Sequence, residues 1–177
     1  MAFSLTPDIA AGYQRLFDTC VIAPDKYVFV DPIVNQIVVN RTRYEALGRK
    51  LGIPWYFIGL THYLEGNNRF DRHLHNGDHL AKKTVNVPKN RPAGNPPWTW
   101  EVSAEDALTF TGLTKWKDWS LPGILYKLEG YNGYGYRTKG INSPYLWSFS
   151  NQYTKGKYVE DGKYDPNKVS KQCGAAV

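Results

Sequence analysis

At 177 residues and 42% hydrophobic content, the chain is long enough for one well-buried core and too short for two substantial domains, so a single domain covering 1–177 is expected. Lys and Arg outnumber Asp and Glu by 22 to 16, a net charge of +6 that favours a polyanion: nucleic acid, an anionic membrane surface and the bacterial cell wall all fit. No stretch approaches the roughly 18 apolar residues of a membrane span, and Met1 to Pro7 has neither the basic nor the apolar run of a signal peptide, so a product made in the cytosol is expected.

Thr6 as N-cap with Pro7 as first helical residue predicts a helix carrying Ile9, Tyr13, Leu16 and Phe17 on one face and ending before Ala23-Pro24. Asp31-Pro32 repeats the start signal, and apolar residues from Ile33 to Leu51 predict a second helix that stops at Gly52. A third, about Pro54 to Leu64, is apolar nearly all round, as a central buried helix would be. From Gly66 to Pro97 the composition turns to Gly, Asn, Asp, His and Pro; alternation in Thr84-Val-Asn-Val87 predicts a small hairpin there. Helical patterns resume over Ser103 to Phe110 and from a Ser120 cap through Tyr131, with a further helix expected around Leu146 to Tyr153. Cys20 and Cys173 lie near opposite ends, and a disulfide between them is open.

Glu65 follows the apolar third helix and precedes Gly66-Asn67-Asn68, an unusual position for a carboxylate. Partial desolvation would keep its proton on longer, which suits a general acid near neutral pH. An ordinary solvated helix terminus is the plainer reading. Asp78 follows the Asn76-Gly77 turn signal and Thr84 begins the alternating stretch, so a hairpin would bring both opposite Glu65. Each of these two is equally a turn or strand residue when taken alone. Asp71 competes as the second carboxylate.

The ordered Glu65, Asp78 and Thr84 resemble the lysozyme superfamily, in which a helix-terminal Glu acid is followed by a β-hairpin lobe, and phage-type lysozymes in particular. Closer still is the resemblance to lysozyme-like endolysins and related muramidases. It is carried by the Glu65 turn, His73-Leu-His-Asn-Gly-Asp-His-Leu80 with Thr84-Val-Asn-Val-Pro88, Tyr131-Asn-Gly-Tyr-Gly-Tyr136 and Ser143-Pro-Tyr-Leu-Trp-Ser148. Twelve residues lie between Glu65 and Asp78, a longer interval than in phage-type lysozymes.

The resemblance implies an α+β, predominantly helical, lysozyme-like fold with a small β-hairpin lobe. It also implies hydrolysis of the β-1,4 bond between N-acetylmuramic acid and N-acetylglucosamine of bacterial peptidoglycan. Glu65 would protonate the leaving oxygen, and Asp78 with Thr84 would hold a water on the opposite face, a layout leaning towards inversion. A Tyr-Asn segment like Tyr131-Asn132 lines the cleft in related lytic transglycosylases, making Asn132, Tyr136, Asn142 and Tyr145 candidate substrate contacts, with His75 from the lobe. The expected protein is a monomeric endolysin acting on the cell wall, with neither nucleic acid nor a membrane span involved. A lytic transglycosylase, a chitinase or chitosanase, and a non-catalytic wall-binding module are the rivals.

His62, His73, His75 and His79 invite a zinc reading, but no His-Glu-x-x-His helix or Cys pair accompanies them. The alternative is that His73 and His75 hydrogen-bond within the lobe and fix it beside the acid, with Leu74 packing on the opposite face. No metal and no cofactor are expected.

Overall fold

The computed structural model describes residues 3–160 and 162–177. These residues form seven α-helices and one two-stranded antiparallel sheet, a mainly helical α+β chain. They group into two compact units: residues 3–32 with the described residues of 120–177, and the intervening 33–119.

In the discontinuous unit, α1 (Pro7–Asp18) starts as predicted, with the Thr6 hydroxyl accepting from the Ile9 N–H and Pro7 in the first turn. It packs against α6 (Leu121–Asn132), which the Ser120 hydroxyl caps. Their shared face buries a charged cluster: the Tyr13 hydroxyl and Arg137 Nη2 both donate to Glu129 Oε2, at 2.5 and 2.8 Å. The expected helix over Leu146 to Tyr153 is instead the short α7 (Pro144–Trp147). It stops because Ser148 is extended, Phe149 takes φ +78 and the Ser150 hydroxyl donates to the Trp147 carbonyl. The C-terminal segment docks on α7, Gly174, Ala175 and Ala176 bonding to the carbonyls of Ser148, Tyr145 and Leu146. A side chain at Gly174 would sit 2.2 Å from the Leu146 carbonyl oxygen, so this approach needs glycine. Cys20 and Cys173 stand as thiols, and burial pushes the Cys173 thiol up to about 11.

The sheet also belongs to this unit. β1 (Lys157–Glu160) pairs with β2 (Lys163–Asp165), Tyr158 opposite Tyr164, with an irregularity between Tyr158 and Glu160. The hairpin expected at Thr84 to Val87 does not form: that stretch has no strand, and its neighbourhood holds only an isolated bridge between Arg72 and His79. The reason is local. The backbone N–H groups of Val85 and Asn86 donate to a side-chain carboxylate, and Thr84 bonds to residues 88 to 91 within its own loop.

α2 (Tyr27–Val39) begins before the predicted Asp31-Pro32 start and carries Pro32 inside it. It ends at Asn40, whose side-chain amide donates to the Gln36 carbonyl at 2.8 Å. The one helix expected up to Gly52 is therefore two, α2 and α3 (Arg41–Leu51), the second closed by left-handed Gly52.

In the 33–119 unit, α3 packs on α4 (Trp55–Gly66), the buried helix anticipated from its all-round apolar sequence. α5 (Trp100–Phe110) begins three residues earlier than Ser103, capped by the Thr99 hydroxyl. Tyr44, His62, Phe70 and Trp100 form an aromatic cluster between these helices and the loop that follows α4.

Candidate active site

Glu65 lies in the last turn of α4, half-buried between buried Leu64 and Gly66. The helix stops because Asn67 and Asn68 both adopt positive φ, and their N–H groups return to the Tyr63 and His62 carbonyls. His62 holds this end from within. It is fully buried, accepts from the Tyr44 hydroxyl through Nδ1 at 2.9 Å, and donates from Nε2 to the Arg69 carbonyl at 3.1 Å. Burial lowers its pKa to about 4, so the ring is neutral near pH 7.

The next loop folds back onto that helix end. His73 N–H bonds to the Asp78 carbonyl, Gly77 N–H to the His73 carbonyl and Leu80 N–H to the Asp71 carbonyl, closing a tight loop over 71–80. Gly77 has φ +76, and a Cβ there would sit 2.4 Å from the Glu65 carbonyl oxygen. The turn bearing Asp78 is thus seated on the backbone of Glu65, and glycine is the residue that permits the contact.

Asp78 is an acceptor hub. Its Oδ2 receives the Val85 and Asn86 N–H groups at 2.8 and 2.9 Å and the Asn76 amide at 3.1 Å, while Oδ1 receives the Asn86 side chain at 2.7 Å. Partial desolvation pushes the carboxyl up, but these bonds together outweigh it and hold the pKa below the ordinary range. Asp78 is therefore ionised. Asp71 faces solvent, forked by Arg69 at 3.0 and 2.7 Å, and that bond keeps it ionised as well.

Thr84 is 1% exposed. Its hydroxyl donates to the Pro88 carbonyl and accepts from the Arg91 N–H at 3.0 Å. The hydroxyl's single proton is spent inside the loop, so Thr84 sets the shape of 84–91. His73 is likewise committed, through Nδ1 to the Ser103 hydroxyl at 2.6 Å and Nε2 to the Lys82 carbonyl at 2.7 Å. The His75 side chain is 1% exposed and donates from Nε2 to Asp106 at 2.7 Å. Burial lowers its pKa, opposed by that bond, and Nδ1 is buried with no partner. Asp106 in turn takes the Arg91 guanidinium in two bonds at 2.9 and 2.7 Å. Leu74, between the two histidines, is fully buried. The histidine rings thus brace the loop against α5, the plainer of the two sequence readings, except that their side-chain partners come from α5 rather than the loop itself. Among the described residues no group of three or more His, Cys, Asp or Glu is placed to hold a metal ion.

The remaining candidates belong to the other unit. Asn132, Tyr136 and Tyr145 line a cleft of ≈ 490 Å³ together with Lys157 and Tyr158 of β1. The Tyr136 and Tyr158 rings meet edge to face at 5.1 Å, and the buried Tyr136 hydroxyl accepts from the Tyr158 N–H. Asn142 lines a different pocket, of ≈ 380 Å³, with Glu129, Arg137 and Tyr13. Sequence reasoning missed Asp106, Arg91 and Glu129. Each is an ordinary charged residue in its local sequence, and its partners lie 8 to 116 positions away. No family model, curated protein or solved structure matches this chain.

Proposed function

We propose that the protein cleaves glycosidic bonds by general acid catalysis, with Glu65 as the proton donor. The substrate in this reading is bacterial peptidoglycan and the bond the β-1,4 link between N-acetylmuramic acid and N-acetylglucosamine, which makes the protein a muramidase of the endolysin kind, acting on the cell wall. The observation that carries the reading is the seat of the Asp78 turn on Glu65. Glu65, half-buried at the end of an apolar helix, carries on its backbone carbonyl a turn whose own carboxylate is held ionised, which puts the two acidic residues on one short stretch of contact. Glu65 supplies the proton to the leaving oxygen, and a solvent water adds to the anomeric carbon and releases a proton, leaving the reducing end. Asp78 supplies fixed negative charge for the oxocarbenium-like transition state. Thr84, His73 and His75 act through the loop they position.

Purified peptidoglycan digested with the protein should yield reducing N-acetylmuramic acid ends by mass spectrometry. Glu65→Gln should lower the rate roughly 10²–10⁴-fold while wall binding and fold persist. Full activity in Glu65→Gln would remove Glu65 from the acid role. A lytic transglycosylase is the second reading, and one observation favours it: Asp78 already accepts four hydrogen bonds and the Thr84 hydroxyl already donates to the Pro88 carbonyl, so neither is well placed to hold a water. Anhydro-muramic ends in the same digest would decide for it.

A further inference from the structure

The least expected feature of the molecule is the solvent side of α2. This helix buries Val30 and Ile37 on one stripe, yet its exposed residues are mostly apolar: Tyr27, Val28, Phe29, Val34, Val38 and Val39, with Val28 at 69%, Phe29 at 55% and Val39 at 82%. Asp31 is the helix's one charged residue. Large apolar side chains scattered singly need no explanation, but a run of them along one helix marks a surface that meets something. At its first turn the helix opens into a slot of ≈ 560 Å³ lined by Phe29, Phe149, Tyr153 and Val169, with Lys26 and Lys171 also in the lining. Phe149 holds φ +78, an outlying conformation for a bulky residue, fixed by a 2.9 Å bond from the Ala23 N–H to its carbonyl. The Lys26 ammonium, paired with Asp25 at 2.6 Å, lies 5.9 and 5.5 Å from the Phe29 and Phe149 ring centres, so a polar rim borders the apolar wall.

We propose that this face seats the protein on an anionic lipid surface. Val28 and Phe29 enter the headgroup boundary, the slot receives part of an acyl chain, and Lys171 at its rim meets a lipid phosphate. The charge selects this occupant over a second copy: a chain of net charge +6 repels itself and is drawn to an anionic bilayer. A 13-residue helix lies in the interface rather than crossing it, and no helix among the described residues is long and apolar enough to cross a membrane. The proposal does not depend on the muramidase reading, and none of these residues belongs to the Glu65 site.

Co-sedimentation with vesicles tests it, using phosphatidylglycerol mixed with phosphatidylcholine against phosphatidylcholine alone. The protein should bind the anionic vesicles and bind the neutral ones at least tenfold more weakly. Val28→Ser combined with Phe29→Ser should lower anionic binding a further tenfold, with the melting temperature unchanged. Equal binding by this variant, or no binding by the parent, overturns the proposal. So does a concentration-dependent dimer, seen by sedimentation velocity and abolished by the same substitutions, which would assign the face to a second copy.

Discussion

His62 shows how one residue ties the site to pH. It is buried, neutral and bonded at both ring nitrogens, joining Tyr44 of α3 to the Arg69 carbonyl just beyond Glu65. Its folded pKa is depressed from 6.5 to about 4, so between those values the unfolded chain binds a proton that the folded chain refuses. Stability must then fall as the pH drops through that window, by about 3 kcal/mol in total for this group. Burial shifts His75 in the same direction. Asp78 acts at lower pH: its depressed carboxyl contributes stability above the ordinary carboxylate range and loses it as the pH falls through the folded value. Denaturant unfolding at pH 7 and pH 4.5 should show the His62 part, and His62→Gln should remove most of the difference. An unchanged difference in that variant would mean that other groups cause it.

At the scale of elements, the contact that matters is the turn of 71–80 on the end of α4. Gly77→Ala places a methyl against the Glu65 carbonyl and forces an L-residue to φ +76, so a loss of about 1–3 kcal/mol is expected. On the proposed function muralytic activity should fall with it, because the turn bearing Asp78 loses its seat on the Glu65 backbone. Gly94→Ala is the control: its φ is also positive, at +84, but nothing lies within 4 Å of the added carbon. Comparing the two by equilibrium unfolding and by activity separates backbone strain from the loss of the seat. The elements themselves were legible to different degrees. α1, α4 and α6 follow from caps and apolar spacing within a few residues of each boundary. The hairpin expected at Thr84 was not legible, because Asp78 takes the backbone donors that a strand pair would have used. The sheet forms instead around Tyr158 and Tyr164, beyond the last element expected from the sequence.

For the molecule as a whole, the proposed function implies that the net charge of +6 acts on wall association, as an electrostatic matter distinct from bond cleavage. Raising the salt from 0.05 to about 0.5 M should weaken binding to intact walls, since the Debye length shrinks to a few Å. Cleavage of a soluble uncharged chito-oligosaccharide should change little under the same conditions. Parallel losses in both would tie the charge to the chemistry rather than to docking. The division into two units also separates the candidates. Glu65, Asp78, Thr84 and His75 share the 33–119 unit, whereas Asn132, Tyr136, Asn142 and Tyr145 belong to the other and are divided there between two pockets.

Short-range information was enough to determine the helical character, the buried α4 and the anomaly of Glu65 at its end, because periodicity, caps and an apolar neighbourhood are all written within one or two helical turns. Only the tertiary structure decided which residues from separate segments meet. The Gly77 seat, the four donors on Asp78, the His75–Asp106–Arg91 brace and the buried Glu129 are made by residues brought together from separate segments. Each depends on burial and hydrogen-bond geometry that a local stretch of sequence does not encode.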